Sequence, residues 1–398
     1  MFATKENPIA LPTSPVLRAS RRPQYVREGV CLLVALTILG QLLLAWQYCS
    51  GDFLITSRFQ DHSANSTLGF GSIYAVSKPG SPRQQPLINA AKLTSLNITI
   101  PLQPRWSEQD ITDLQTPGNS ALDRGSALAW LGHRNVLSEF LKTRHDTALI
   151  LEDDVDWDTQ LRIKQIPQTA YAIRELLGSH GNGYYGSLES WDIIWLGHCG
   201  DFFNAARGSD IPVIKSFIDS AMPKLEELHP WTRDFLKEIG AVKDQQRLVH
   251  NSVQPLCTFA YAITRPAAER VLNELAAREP LRNLGNPCKA YDVRLLESCR
   301  DEGLKCITVN PELFHHSDLG SEIAQVTDNL GSTQPSSVQK DMTELPTTNI
   351  RCSARSGKWQ EIRDSITDSS IDAESLVKEL AELSSECYID DFLPHDLA

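Results

Sequence analysis

The sequence predicts an α/β protein whose mixed, mainly parallel sheet is flanked by helices and preceded by one transmembrane helix. Strand-like and helix-like patterns alternate through residues 71–316, as they do in α/β folds. The apolar run 148–151 is typical of a buried strand, and a dense acidic cluster follows it directly. A charge-free run of 20 residues, 29–48, is long enough to cross a bilayer core of roughly 30 Å.

Composition and charge limit the class of protein. The chain has 398 residues, with 38 Lys and Arg against 50 Asp and Glu. This acidic balance does not favour a nucleic-acid partner. The nine cysteines show no CxxC pair and no zinc-like spacing. Cys288, Cys299 and Cys306 are close enough for a disulfide, although spacing does not determine the pairing.

The N-terminal region predicts a single-pass type II membrane protein. Residues 1–28 form a polar cytosolic tail, 29–48 a signal anchor and 49–69 a stem. The apolar run is too long for a cleaved signal peptide, and a buried core helix is the alternative. Basic residues precede the span and only Arg58 closely follows it, so the later residues are expected in the lumen. Sequons at Asn65 and Asn97 agree with a Golgi or endoplasmic reticulum location.

Residues 70–324 are predicted to form the globular domain, and 325–398 a linker followed by an acidic tail. Residues 204–250 have no strong period and are interpreted as an insertion or lid, with surface decoration as the alternative. The predicted strands cover 71–76, 98–102, 148–151, 191–196, 257–263 and 304–309, and the predicted helices cover 124–144, 170–177, 267–277 and 291–300.

The acidic cluster is the strongest functional signal. Glu152, Asp153 and Asp154 follow the apolar strand, at the end where open α/β sheets bind ligands, and Asp156 and Asp158 come soon after. Carboxylates this close together do not all stay ionised without a cation or hydrogen-bond donors. A divalent metal holding a phosphate-bearing substrate would supply that charge. The alternative is a solvated acidic turn.

Several known site motifs are excluded. The chain has no GxGxxG after its first strand, no GxxxxGK[ST] loop and no GxSxG elbow. An EF-hand loop beginning at Asp154 would require glycine and glutamate where the chain has Thr159 and Gln165.

Five further residues are candidates for a site, each with a structural alternative. Arg83 follows the first strand and could meet a phosphate, or be solvated. His133 lies on the apolar face of helix 124–144, where a histidine is more often a satisfied core residue. Asp192 begins a strand as a cap or a site residue. His315 and His316 follow the last strand and could offer an imidazole to a metal, or be surface residues.

The ordered set of motifs resembles glycosyltransferase family 25, which includes lipooligosaccharide and collagen galactosyltransferases. The segment ALILEDDVD is similar to the metal-binding segment of that family. Gly132 stands where the family usually has a serine, next to the histidine that the chain keeps, and the type II topology is similar to that of fungal members. The resemblance spans about residues 71–322 and includes GSIYAVSKPGSPR, RGSALAWLGHRNVL, WDIIWLG, CTFAYAITRPAAERVL, YDVRLLESC and NPELFHHSDLGSEI.

The resemblance implies a nucleotide-diphospho-sugar transferase architecture, called GT-A, with Mn²⁺ and inversion at the anomeric centre. It implies that Glu152, Asp153 and Asp154 form the DxD-like motif that holds Mn²⁺ against the donor diphosphate. His315, or its neighbour His316, would complete the metal shell.

The remaining candidate residues would contact the donor or take a proton. The resemblance implies donor contacts for Arg83 and His133 in addition to Asp153. An inverting transfer needs a general base, for which Asp292 is the first candidate and Asp192 the second.

The expected function is transfer of a hexose, galactose or glucose, from a UDP-sugar to a glycan or glycoprotein in the lumen. One alternative is a catalytically inactive GT-A-like binding or scaffold protein of the secretory pathway. A glycoside hydrolase also uses two carboxylates, but it does not need a metal-like cluster after a buried strand. Asp156 and Asp158 are expected to be flanking or acceptor-side groups.

Overall fold

The central feature is an eight-stranded mixed sheet, seen in a computed structural model that describes residues 63–118, 120–179, 183–203, 211–280, 288–316 and 349–356. Within these ranges no helix is both long and apolar enough to cross a membrane. The predicted cytosolic tail and signal anchor, and the predicted C-terminal tail beyond residue 356, lie outside the described residues, so those predictions stay predictions.

Strands and helices are interspersed along the described chain, as expected for an α/β protein. The large sheet contains β1 (Ser72–Val76), β2 (Ile98–Thr99), β3 (Thr147–Glu152), β5 (Ile193–Gly197), β6 (Ile214–Ile218), β7 (Gln246–Asn251), β8 (Ala260–Thr264) and β9 (Cys306–Asn310), and β4 (Val155–Trp157) pairs with β10 (Phe314–His316) in a small sheet. The α-helices are α1 (Gln84–Leu93), α2 (Glu108–Leu114), α3 (Arg124–Leu141), α4 (Ile166–Leu177), α5 (Pro230–Glu238), α6 (Arg265–Arg270) and α7 (Tyr291–Asp301). Short π-helical turns, Leu161–Gln165 and Val271–Leu275, adjoin α4 and α6, and Leu225–Glu227 is a 3₁₀ turn.

The strand order of the large sheet is β2-β1-β3-β8-β5-β9-β7-β6. Only β8 and β7 run antiparallel to their neighbours, so the other six strands share one direction. This confirms the predicted mixed, mainly parallel α/β sheet. The chain leaves β1 for β2 on one side and reaches β3 on the other side, so the carboxyl ends of β1 and β3 form a topological switch point.

Strand β3 is buried because both of its faces are covered. Leu149 and Leu151 pack into one apolar cluster, whereas Ala148 and Ile150 pack into a second cluster on the opposite face. Side chains alternate between the two faces of a strand, so a strand with helices on both sides has no polar position. Its apolar run therefore ends only where the sheet ends, and the acidic cluster begins there.

Residues 211–251 extend the sheet and do not form a lid. They contribute the edge pair β6 and β7 and the helix α5, which pack around a separate apolar cluster that includes Phe235 and Leu236. Two disulfides are present among the described residues. Cys199 pairs with Cys257, and Cys299 pairs with Cys306, two of the three neighbouring cysteines noted in the sequence.

Candidate functional site

The acidic cluster lies at the switch point of the sheet. Ser77 follows β1 and Asp153 follows β3, and the Ser77 hydroxyl donates a hydrogen bond of 2.6 Å to Oδ2 of Asp153. Open α/β sheets bind ligands outside the carboxyl ends of their strands at such a point. The fold therefore presents the acidic cluster where a ligand can reach the ends of several strands.

Arg83 bridges two carboxylates of the cluster. Its Nη1 lies 2.7 Å from Oδ2 of Asp154 and 3.5 Å from Oδ1 of Asp153, and all three side chains are buried. Burial raises the pKa of Asp153 above its usual value. Burial acts in the same direction on Asp154, but His316 and Arg83 outweigh it, so the pKa of Asp154 is lowered. The predicted arginine of the first loop thus lies in the cluster.

The structure places His316, and not the predicted His315, at the acidic cluster. Nε2 of His316 lies 2.9 Å from Oδ2 of Asp154, and the hydrogen bond to Asp154 raises the pKa of His316 although burial acts against it. Side chains alternate along β10. His315 therefore points away and contacts the buried carboxylate of Glu312 through Nδ1. The assignment of His315 as a metal ligand is replaced by His316.

Glu152 faces a different set of partners. Its Oε1 accepts a hydrogen bond of 2.7 Å from the hydroxyl of Thr258, two residues before β8. Nε2 of His133 lies 3.6 Å from the same oxygen. The side chain of Glu152 is 28% exposed, against 8% for Asp153 and 6% for Asp154, so it is the most open of the three carboxylates.

His133 lies beneath Glu152 within the core. Helix α3 buries this ring, which stacks on Tyr291 at 4.6 Å and lies 3.3 Å from the hydroxyl of Tyr261 through Nδ1. Both ring nitrogens therefore have neighbours in the protein. The structure brings His133 to the site as a support for Glu152 rather than as an exposed donor contact.

The two candidate bases lie at opposite ends of the fold. Asp292 is in the first turn of α7, where it accepts the N–H of Cys257 at 3.1 Å, and burial followed by the charge of Glu152 raises its pKa. Asp192 precedes β5 at the amino end of that strand and accepts the N–H of Lys305 at 2.8 Å. Since β5 runs parallel to β3, its amino end is remote from the acidic cluster. We withdraw Asp192 as a candidate base.

Asp156 and Asp158 hold a segment that sequence reasoning missed. Residues 349–356 span the end of the predicted linker and the start of the predicted acidic tail, yet they return to β4 through a bridge between Asp158 and Ser353. Ile350, Cys352 and Ala354 are buried in this segment. That short apolar alternation was the available signal. The two aspartates, predicted as flanking or acceptor-side groups, bind this segment through hydrogen bonds. The predicted domain boundary at 324 stays a prediction.

The donor chemistry of the cluster fits a divalent cation. Carboxylate oxygens are the ligands that Mn²⁺ prefers, and Glu152, Asp153 and Asp154 provide them, with the imidazole of His316 next to Asp154. Among the described residues, no group of three or more His, Cys, Asp or Glu side chains has the arrangement of a metal site. Arg83 contacts two of these carboxylates, so a metal would share or replace that contact.

One cavity lies elsewhere in the fold. It has a volume of about 710 Å³ and is bordered by His145, Tyr184, Leu188 and Trp191, at the amino ends of β1 and β3. None of the predicted site residues borders it. The convergence of charged groups, and not cavity size, therefore locates the candidate site.

Comparisons with protein-family models and with curated proteins found no match to this chain.

Proposed function

We propose that the protein is a metal-dependent glycosyltransferase that moves galactose or glucose from a UDP-sugar to a glycan or glycoprotein, with inversion. The main supporting observation is the position of Asp153 and Asp154 at the switch point, together with Arg83. An α/β sheet with carboxylates and a guanidinium at this edge suits a metal-bound diphosphate. A GT-A-like architecture is the finer fold assignment within this proposal.

Glu152, Asp153 and Asp154 would hold Mn²⁺, with His316 beside them. The bound ion would neutralise the charge that develops on the leaving diphosphate. Arg83 would also neutralise the leaving diphosphate by donating hydrogen bonds to phosphate oxygens. Its guanidinium lies next to Asp153 and Asp154, where the metal-bound diphosphate would be held. Thr258 and His133 would keep Glu152 oriented.

Asp292 would accept the proton of the attacking hydroxyl. Its raised pKa favours this role, because a base that titrates closer to the working pH accepts a proton more effectively. Asp292 is half-buried, and Glu152 and His133 are among the charged groups near its carboxyl.

A lumenal, type II location in the Golgi or endoplasmic reticulum membrane belongs to the same proposal. Asn65 and Asn97, the two predicted glycosylation sites, are exposed on the folded domain. Glycosidase treatment of the protein from secretory cells should shift its mass. An unshifted mass would contradict the lumenal topology.

The direct test is a screen of UDP-sugars with the full-length protein in detergent, with Mn²⁺ or with EDTA. We expect Mn²⁺-dependent transfer or donor hydrolysis, loss of this activity in Asp154→Asn, and full activity in Asp113→Asn, a matched change on exposed helix α2. Absence of turnover and of Mn²⁺-dependent nucleotide binding would refute the proposal. Binding without turnover would favour the scaffold alternative, and sugar release that resists EDTA would indicate a hydrolase.

A further inference from the structure

A segment far along the chain adds a strand-like edge next to the acidic cluster. Residues 349–356, which we call the strap, pair with β4 and the residues after it. The N–H of Ala354 donates to the carbonyl of Trp157 at 2.8 Å, and the N–H of Thr159 donates to the carbonyl of Cys352 at 2.9 Å. The strap is therefore in register with the strand that follows the acidic cluster.

Side chains fasten the strap at several points. Asp158 accepts the N–H of Cys352 at 2.8 Å, and Asp156 accepts the N–H of Arg355 at 3.2 Å. The side-chain amide of Asn349 donates to Oε1 of Glu312 at 2.8 Å. Both aspartates are buried. Such a set of buried polar contacts indicates a built interface rather than a chance approach.

The strap brings one more guanidinium to the cluster. Nη2 of Arg355 donates to the carbonyl of Asp153, while its Nε and Nη1 are buried without a hydrogen-bond partner in the described part of the chain. Its acidic neighbours are Asp156, Asp154 and Asp153, and Arg83 is also close enough to act on its charge. An arginine stays ionised in proteins, and unsatisfied buried donors are costly. The oxygen of a bound ligand would satisfy these two donors.

Oxygen-rich anions match this arrangement. A guanidinium presents its donors as a planar fork, which suits phosphate oxygens. Arg83 contacts Asp154 and Asp153, and Arg355 reaches the backbone of Asp153, so two guanidinium groups border the same pair of aspartates. A diphosphate in this place would accept from both groups.

We propose that the strap contributes Arg355 to the active site, where this residue binds the diphosphate of the nucleotide-sugar. The inference rests on the proposed function and extends it to residues beyond the predicted globular domain. A purely structural role is the competing explanation, in which Arg355 only neutralises Asp154 and Asp156. The two explanations differ in what they predict for ligands with and without phosphate.

The test measures binding of UDP and of uridine to the full-length protein with Mn²⁺, by calorimetry. Arg355→Gln should weaken UDP binding about 10- to 100-fold, the range for hydrogen bonds to a charged group, and leave uridine binding unchanged. Arg355→Lys should weaken UDP binding less, because lysine keeps the positive charge although it lacks the planar guanidinium donors. Arg351→Gln is the matched control, since Arg351 lies in the strap but donates to the carbonyl of Ser220.

The outcomes separate the two proposals. If wild type binds UDP and Arg355→Gln binds UDP with the same affinity, the role of Arg355 is overturned and the proposed function is not. An equal loss for UDP and uridine would also overturn it, because a structural defect affects both ligands. If wild type binds neither UDP nor pyrophosphate, the proposed function fails as well. If thermal unfolding shows that Arg355→Gln does not fold, wild-type affinity for UDP in Arg355→Lys would overturn the inference.

Discussion

Nη1 of Arg83 lies 2.7 Å from Oδ2 of Asp154, although 71 positions separate the two residues in the sequence. The contact forms because β1 and β3 are adjacent parallel strands whose carboxyl ends meet at one edge. Both side chains are almost completely buried. The pair therefore links the first loop of the fold to the acidic cluster in a region from which water is largely excluded.

Loss of Arg83 should destabilise the protein more than loss of an exposed ion pair. Arg83→Gln removes the guanidinium that pairs directly with the Asp154 and Asp153 carboxylates, which should cost about 3 kcal/mol of unfolding free energy. Adding Asp154→Asn should recover much of that loss. Arg124→Gln is the control, because its pair with Glu108 is exposed and is worth less than about 1 kcal/mol. Urea denaturation measures all three variants, and equal losses for Arg83 and Arg124 would contradict the prediction.

Asp158 should make the stability depend on pH. Burial raises its pKa from 3.8 to about 7, against the hydrogen bonds from Gln160 and Cys352. Between pH 3.8 and about pH 7, Asp158 is protonated in the folded protein but ionised in the unfolded chain. The free energy of unfolding therefore falls as pH rises through this window, by up to about 1.4 kcal/mol per pH unit.

Asp158→Asn removes the titrating group and should flatten that slope. Urea denaturation at several pH values between 4 and 7 compares the variant with wild type, and Asp113→Asn serves as an exposed control. Parallel curves for wild type and Asp158→Asn would show that Asp158 titrates normally.

The two disulfides that join described residues should differ in their contribution to stability. Cys199 and Cys257 are 58 positions apart, and Cys299 and Cys306 are 7 apart. In the chain-entropy description a longer closed loop restricts the unfolded chain more, and this difference in length corresponds to about 2 kcal/mol. Serine pairs at each bridge, compared by thermal unfolding without reductant, test this. A larger loss at the short bridge would contradict the entropic explanation.

Asparagine variants of Asp292 and Asp192 test which of the two aspartates is the general base. Under the proposed function, Asp292→Asn should reduce kcat about 10²- to 10⁴-fold with little change in UDP affinity, the usual contribution of a general base. Asp192→Asn should keep wild-type kcat, because Asp192 caps the remote end of β5. Single-turnover transfer assays measure the chemical step. Equal rates in wild type and Asp292→Asn would remove Asp292 from the mechanism.

The local pattern of apolar and polar residues predicted much of the fold. Helix α3 was predicted as 124–144 and observed as Arg124–Leu141, because its apolar face repeats at helical spacing. The buried strand β3 was recognised from an apolar run that is covered on both faces. Helix α1 and the edge strand β6 were missed because short or partly exposed elements leave a weaker periodicity. The neighbouring strand β7 was missed because its buried residues include the polar Gln246, Arg247 and His250.

The sequence predicted only part of the candidate site. The choice between His315 and His316 depends on which face of β10 is turned toward Asp154, and adjacent residues in a strand point in opposite directions. The exclusion of Asp192 depends on the direction of β5. Neither fact is present in the spacing of the residues.

The sequence by itself determined the α/β class and the position of Glu152, Asp153 and Asp154 directly after a buried strand, because strand burial and charge follow from local residue pattern. Only the tertiary structure decided which groups surround them. Arg83 and Arg355 reach the same aspartates from opposite parts of the chain. Such contacts arise from strand order and from a segment returning to β4, and pairing between distant segments is not encoded in local periodicity.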